Sequence, residues 1–254
     1  MISGAKGYEL EPGITIPSGI PGLIVENSLV VADLHLGIES ELASTGLYLP
    51  KIQLTEILDR IKRVFNSYQN LTRLVIAGDL KHRFDRLTWQ EKREVESLIL
   101  NLREQDITIV LVRGNHDTFL RPLLERLGVH VEDCCFELTP SVMVTHGHMD
   151  IGEEYLDRYQ FIVMGHEHPV YQARIAGVTV GRFQVFLKIP TNRKATLLVL
   201  PAFGVYQSGN PISLDRNGYL SPIIRKYGEV ERAIPIVIEE EMVVELPQLY
   251  MLLT

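Results

Sequence analysis

The sequence predicts an α/β fold in which two β-sheets pack together with helices on the outside. Three observations carry that expectation. The first half alternates short apolar, β-prone runs with amphipathic helical stretches, the pattern of right-handed β–α–β crossovers and a mostly parallel sheet. The second half is a succession of strand-like segments with little helix between them, which calls for a second sheet packed on the first. Five of the apolar runs end in clusters of Asp, Asn and His, and open α/β sheets hold their ligand sites at the carboxyl ends of strands.

Residues 8–27 alternate short apolar pieces with Pro12, Gly13, Pro17, Gly19, Pro21 and Gly22, which predicts an edge strand or hairpin. Leu29–Ala32 reads as the first buried strand, and residues 37–50 as a loop or short helix. From Lys51, the spacing of Leu54, Ile57, Leu58, Ile61, Val64 and Phe65 predicts an amphipathic helix. Leu74–Ala77 is a strand. Thr88-Trp89-Gln90-Glu91 has the form of a capping box, followed by a helix whose buried stripe is Val95, Leu98, Ile99 and Leu102. Ile107–Val112 is the central strand, with a short helix near Phe119–Leu127. Val129–Leu138, Ser141–Thr145, Phe161–Met164, Val170–Ile175, Val178–Leu187 and Ala195–Leu200 read as strands, interrupted by a helix at Glu153–Tyr159. Residues 205–254 are the hardest to read, although Ile234–Ile238 and Met242–Leu246 suggest a terminal β pair. The expected organisation is one domain over 1–254, with a motif-bearing core at about 28–170 and a β-rich extension at about 178–254.

A net charge of −7, from 25 Lys+Arg against 32 Asp+Glu, argues against coating nucleic acid by general electrostatics. It leaves room for a local basic groove or a bound metal. No apolar run approaches the roughly 18 residues of a membrane helix, and Met1–Lys6 lacks the apolar core of a signal peptide. The expected location is therefore cytoplasmic, away from membranes. Cys134 and Cys135 supply no disulfide framework; neighbours on a strand alternate faces, so one buried thiol and one nearer the surface are expected.

The polar clusters are Asp33-Leu34-His35, Gly78-Asp79, Gly114-Asn115-His116-Asp117, His146-Gly147-His148 and Gly165-His166-Glu167-His168. Seven of the eight histidines lie in them or, as His82 does, three residues beyond one. Buried together without a cation, these rings would need hydrogen-bond partners for many nitrogens at once. Carboxylate, imidazole and amide donors without thiolate suit Mn²⁺, Fe or Zn²⁺. Two Asp, one Asn and four His are too many for one ion and about right for two. Asp79 is the natural shared ligand, one oxygen to each ion, at a metal separation of roughly 3.5–4 Å.

In order and spacing these motifs resemble the calcineurin-like metallophosphoesterases. The resemblance implies a two-sheet sandwich flanked by helices, a four-layer αββα fold. It also implies two divalent ions, Mn²⁺ first with Fe or Zn²⁺ as alternatives. Asp33, His35, Asp79 and His168 would hold one ion, and Asp79, Asn115, His146 and His166 the other. His116 would be a charged donor or general acid beside the phosphate, oriented by Asp117. Asp33-Leu34-His35-Leu36-Gly37, Leu49-Pro50 and Leu200-Pro201-Ala202-Phe203-Gly204 look like the archaeal and DNA-ligase-associated phosphoesterases related to SbcD-type nucleases. Gly78-Asp79-Leu80-Lys81-His82 is similar to the motif in which those nucleases use the last His to place the scissile phosphate. That would make His82 face the substrate, against its reading as an ordinary loop histidine. His148 is expected to support the site, and His130 to be structural.

The implied activity is hydrolysis of a phosphodiester, with DNA, RNA or a nucleotide among the candidate substrates, by in-line attack of metal-activated hydroxide. Two alternatives stand beside it. One is an inactive fold kept as a protein-binding scaffold, as in the retromer subunit that resembles this family; the other is a phosphomonoesterase. Lys188, Arg193 and Lys194 could line a phosphate path or form a solvated face. The related nucleases supply the precedent for a homodimer.

Overall fold

The structure, a computed structural model, describes residues 7–176, 178–239 and 242–253; Met1–Lys6, read above for a leader, lies outside them. One sheet takes its strands in sequence order: β1 (Tyr8–Glu11), β2 (Ile14–Ile16), β3 (Leu23–Val25), β4 (Ser28–Val31), β5 (Arg73–Ala77), β6 (Thr108–Val112) and β7 (His130–Glu132). β4 to β7 are mutually parallel, and β1 to β3 extend the edge antiparallel, as the Pro/Gly-rich start suggests. The second sheet holds β8 (Cys135–Thr139), β9 (Val142–Thr145), β10 (Phe161–Met164), β11 (Pro169–Ile175), β12 (Val178–Pro190), β13 (Thr196–Val199), β14 (Asn210–Pro211), β15 (Ile234–Glu239) and β16 (Met242–Glu245). The suggested terminal β pair is β15 and β16, hung on the long β12.

Side chains alternate across each strand, and both faces of each sheet are covered. Leu29, Val31, Leu74, Ile76, Ile109 and Leu111 pack under helices α1 (Gln53–Ser67) and α2 (Trp89–Arg103), against Ile57, Ile61, Val95, Leu98 and Leu102. Their neighbours Val30, Val75 and Val110 point the other way, onto Val144, Val163, Phe186 and Leu198 of the second sheet. Beyond that sheet, Met143, Ile162, Leu197 and Val199 meet Leu156, Ile223 and Ile224 from two short helices (Glu153–Arg158 and Pro222–Tyr227). The layers are helix, sheet, sheet, helix, as expected. Among the described residues no helix is long and apolar enough to cross a membrane.

Two local expectations are corrected. Val129–Leu138 is not one strand: the chain bends at Asp133–Cys134, so β7 finishes the first sheet and β8 opens the second. That bend also defeats the alternation argument for the cysteines. Both are half-buried, and their sulfurs lie 2.8 Å apart on the same side. Burial and the neighbouring thiol push the Cys135 thiol up.

The parallel registers bring the motifs to one rim. Val31, Ile76 and Leu111 stand level, as do Thr145 and Met164 in the other sheet. The residues that follow each of them therefore emerge together. The capping box forms as read: Thr88 Oγ1 accepts from Glu91 N at 3.2 Å, and the Glu91 carboxylate accepts from Thr88 N at 2.7 Å. Thr88→Ala should lower the unfolding free energy by about 1 kcal/mol, read from the urea midpoint at unchanged slope; an unchanged midpoint would deny the cap a role in stability.

Candidate metal centre

Asp33 follows β4, Asp79 follows β5, and His166 and His168 follow β10. With His35, they all adopt left-handed backbone: φ is 58° at Asp33, 48° at His35, 54° at Asp79, 73° at His166 and 46° at His168. Non-glycine residues rarely do so, at a cost of about 1–3 kcal/mol each, and such strain persists where the surroundings over-determine it. These five are the majority of the nine such residues among those described. Gly78 (φ 86°) makes the approach possible, because a Cβ there would stand 2.2 Å from His146 Nδ1.

Both carboxylates are buried, Asp33 at 0% and Asp79 at 2% exposure. Each has one oxygen pinned by the backbone N–H of a histidine from another motif. His166 N donates to Asp33 Oδ2 at 3.0 Å, and His116 N donates to Asp79 Oδ1 at 2.9 Å. The second oxygens face imidazoles. Asp79 Oδ2 lies 3.4 Å from His146 Nε2, 3.7 Å from His116 Nε2 and 3.9 Å from His35 Nε2. Asp79 Oδ2 is thus within 4 Å of nitrogens of three rings, while Oδ1 takes the His116 N–H. Asp33 Oδ1 accepts no hydrogen bond, although His168 Nε2 is 3.2 Å away.

His146 Nδ1 donates to the Ala77 carbonyl at 2.9 Å, which in the neutral ring leaves Nε2 bare. That lone pair points at Asp79 Oδ2 and at Asn115 Oδ1, 3.0 Å away. His35 Nε2 and His168 Nε2 likewise face each other at 3.3 Å. Acceptors this close need a proton or a cation between them. In the metal-free chain a proton serves: burial disfavours a charged His146, but Asp79 and Asp33 outweigh it and raise its pKa to about 9. Burial would raise both carboxyls, yet the imidazoles hold them below the usual range. Burial drives His35 down to about 3 and His166 to about 4.

Among the described residues three sets of ligand atoms could hold an ion, Asp33–His35–His168, Asp79–His146–His166 and His35–His82–His116, the atoms of each set lying within 4.8 Å of one another. Asn115 borders the second. His82 and His116 are half-buried at the same rim; His82 Nδ1 is 3.4 Å from His35 Nδ1, and its ring stacks on that of His116 at 5.7 Å. The structure corrects the role of Asp117. Its carboxylate accepts from Asp79 N, Leu80 N and Gly114 N at 2.8–2.9 Å, which ties the ends of β5 and β6 together, and it makes no hydrogen bond to the His116 ring. The carbonyl of His82 does that instead, at His116 Nδ1.

A family model for the calcineurin-like phosphoesterases matches residues 27–162, more than half of the chain. The chain belongs to that family. Among solved structures, nuclease MPE from Pseudomonas putida is 21% identical, with 92% of this chain and 94% of that one covered at a TM-score of 0.60, and so shares the fold. The phosphoesterase Yfce from E. coli is 16% identical, with 87% and 98% covered at a TM-score of 0.42. No curated protein matches.

Calcineurin-like phosphoesterases use divalent metals, and the donor set fits one. An orphaned buried carboxylate oxygen and facing imidazole lone pairs are what such an ion would satisfy. Sequence reasoning missed the residues that brace this rim. Gln53 Nε2 donates to Leu34 O at 2.6 Å, and its Oε1 accepts from Val205 N at 3.0 Å. Ser221 Oγ donates to Gly147 O at 2.7 Å, and Ser221 N donates to the buried Glu167 carboxylate. The Leu200–Gly204 stretch, singled out above, carries Phe203 N and Gly204 N onto Ala32 O and Asp33 O. A polar residue inside the amphipathic helix, Gln53, was the one readable signal. Lys188 and Arg193 pair with Glu11 and Glu153. His130 is exposed on Glu132, and His148 stands by His146 with a buried, unpartnered Nδ1.

The linkage has a definite sign. Without metal, the raised His146 contributes stability that is full below its unfolded pKa of 6.5 and is lost as pH rises through about 9. The depressed His35 and His166 act on the acid side: their contribution is present above 6.5 and is lost as pH falls through about 3–4. Chelated protein should therefore be most stable near pH 6.5. Because ligating imidazoles must shed their protons, Mn²⁺ should raise Tm more at about pH 8.5 than at about pH 6. Equal shifts in a thermal-denaturation series would mean the ion binds elsewhere.

Proposed function

We propose that the chain hydrolyses phosphodiesters with two divalent ions, Mn²⁺ first. Asp33, His35, Asp79 and His168 hold one, and Asp79, Asn115, His146 and His166 the other. The observation that carries this reading is Asp79 Oδ2, an oxygen of a buried carboxylate that has His146, His116 and His35 nitrogens at 3.4, 3.7 and 3.9 Å. When bound, the ions supply the charge that polarises the phosphoryl oxygens and lowers the pKa of the attacking water. The chain's own part is orientation. The backbone N–H groups of His116 and His166 fix the two carboxylates, and the Ala77 carbonyl fixes the His146 tautomer. His116, with Nδ1 on the His82 carbonyl, presents Nε2 to the phosphate and passes a proton to the leaving alkoxide. All of 1–254 acts as one domain in this reading, its C-terminal extension bracing the rim.

The test is hydrolysis of bis-p-nitrophenyl phosphate with added metal. His116→Ala should cut kcat by ~10²–10⁴ with metal content near normal, whereas Asp79→Asn should lose both metal and activity. Loss of metal in His116→Ala would refute its role as donor. Faster turnover of p-nitrophenyl phosphate would move the reading to monoesters. No hydrolysis with Mn²⁺, Ni²⁺, Co²⁺ or Fe²⁺ would leave the scaffold reading.

A further inference from the structure

Cys134 and Cys135 take no part in the chemistry described so far. Successive side chains of an extended strand point to opposite faces, and these two do not. The chain bends at Asp133–Cys134, and the two sulfurs lie 2.8 Å apart. The bend is held on both sides. Asp133 Oδ1 accepts from Arg121 Nη2 at 2.6 Å and lies 3.1 Å from Arg113 Nη1, and the Cys134 carbonyl accepts from Thr145 Oγ1 at 2.9 Å. Cys135 is fixed by the ladder, opposite Thr145 of the neighbouring strand. The backbone therefore imposes the side-by-side arrangement of the thiols. Both are half-buried, within reach of a small reagent. Among the described residues no His, Asp or Glu joins them in a group that could hold a metal ion.

We propose that Cys134 and Cys135 form a redox modification site, at which an organic hydroperoxide converts the two thiols into a disulfide between sequence neighbours. The inference stands apart from the phosphodiesterase reading. The Cys134 sulfur attacks the terminal oxygen of the peroxide. The O–O bond breaks, the alcohol leaves with the Cys134 proton, and Cys134 becomes a sulfenic acid. The Cys135 sulfur then attacks the Cys134 sulfur; the S–O bond breaks, and the departing hydroxide takes the Cys135 proton and leaves as water. Two thiols have lost two electrons, and one peroxide has gained them. Burial and the Cys134 thiol push the Cys135 thiol up, which keeps Cys135 protonated and leaves the first attack to Cys134. With the second sulfur already in contact, the sulfenic acid is captured before it takes up more oxygen. The product reopens readily. Adjacent Cα atoms are about 3.8 Å apart, short of the roughly 4.4–6.8 Å of ordinary disulfides, so the ring is strained and a small thiol reduces it.

The test treats the reduced full-length chain, in the presence of a chelator, with stoichiometric tert-butyl hydroperoxide. Wild type should lose both titratable thiols, and the proteolytic peptide that holds the two cysteines should become lighter by about 2 Da, a change that dithiothreitol reverses. Cys135→Ser should stop at a sulfenic acid on Cys134, which dimedone traps. Cys134→Ser should be labelled about tenfold more slowly, because its remaining thiol stays protonated. Thiols that remain free in wild type, a peptide that gains oxygen without losing two hydrogens, or a disulfide between two chains would each overturn the proposal. Equal rates of dimedone labelling in the two variants would overturn the assigned order of attack.

Discussion

The structure depends on two carboxylates that have been taken out of water. Asp33 and Asp79 sit at the ends of adjacent parallel strands at 0% and 2% exposure, where an isolated charge is strongly disfavoured. Each is made tolerable in the same way: one oxygen takes a backbone N–H from a histidine of a distant motif, and the other is surrounded by imidazoles. The arrangement ties the two sheets together at their common rim, since Asp33 and Asp79 follow strands of the first sheet while His146, His166 and His168, which meet them, follow strands of the second. The donor set that suits a cation is thus also the joint between the halves of the sandwich.

That joint is braced from behind by the part of the chain with the weakest sequence signal. Phe203 and Gly204 donate to the backbone of Ala32 and Asp33, Gln53 bridges Leu34 to Val205, and Ser221 holds Gly147 and Glu167. Left-handed backbone at Asp33, His35, His166 and His168 is sustained by these contacts on either side of it. Asp117 does the same for the β5 and β6 ends through backbone amides. It acts as a loop brace, where the family resemblance implied a partner for the His116 ring.

Much of the fold was legible because alternation and helical spacing report burial directly. Leu29, Val30 and Val31 face opposite layers in turn, and Ile57, Ile61 and Val64 line one side of a helix. The exceptions have local causes. A bend at Asp133–Cys134 splits what reads as one apolar run into strands of different sheets. The terminal helices at Pro222–Tyr227 and Leu249–Leu252 are too short to show a period.

The sequence by itself determined the layer order and the identity of the polar residues at five strand ends. Those follow from periodicity and from side-chain chemistry, which are properties of neighbours along the chain. Only the tertiary structure decided which oxygen of Asp79 faces the rings, that Asp117 holds amides, that His82 orients His116 through its carbonyl, and that Phe84 lies on that imidazole. Each is a contact between loops 32 to 67 residues apart. Its geometry is set by strand register and backbone strain, and neither leaves a trace in residue order.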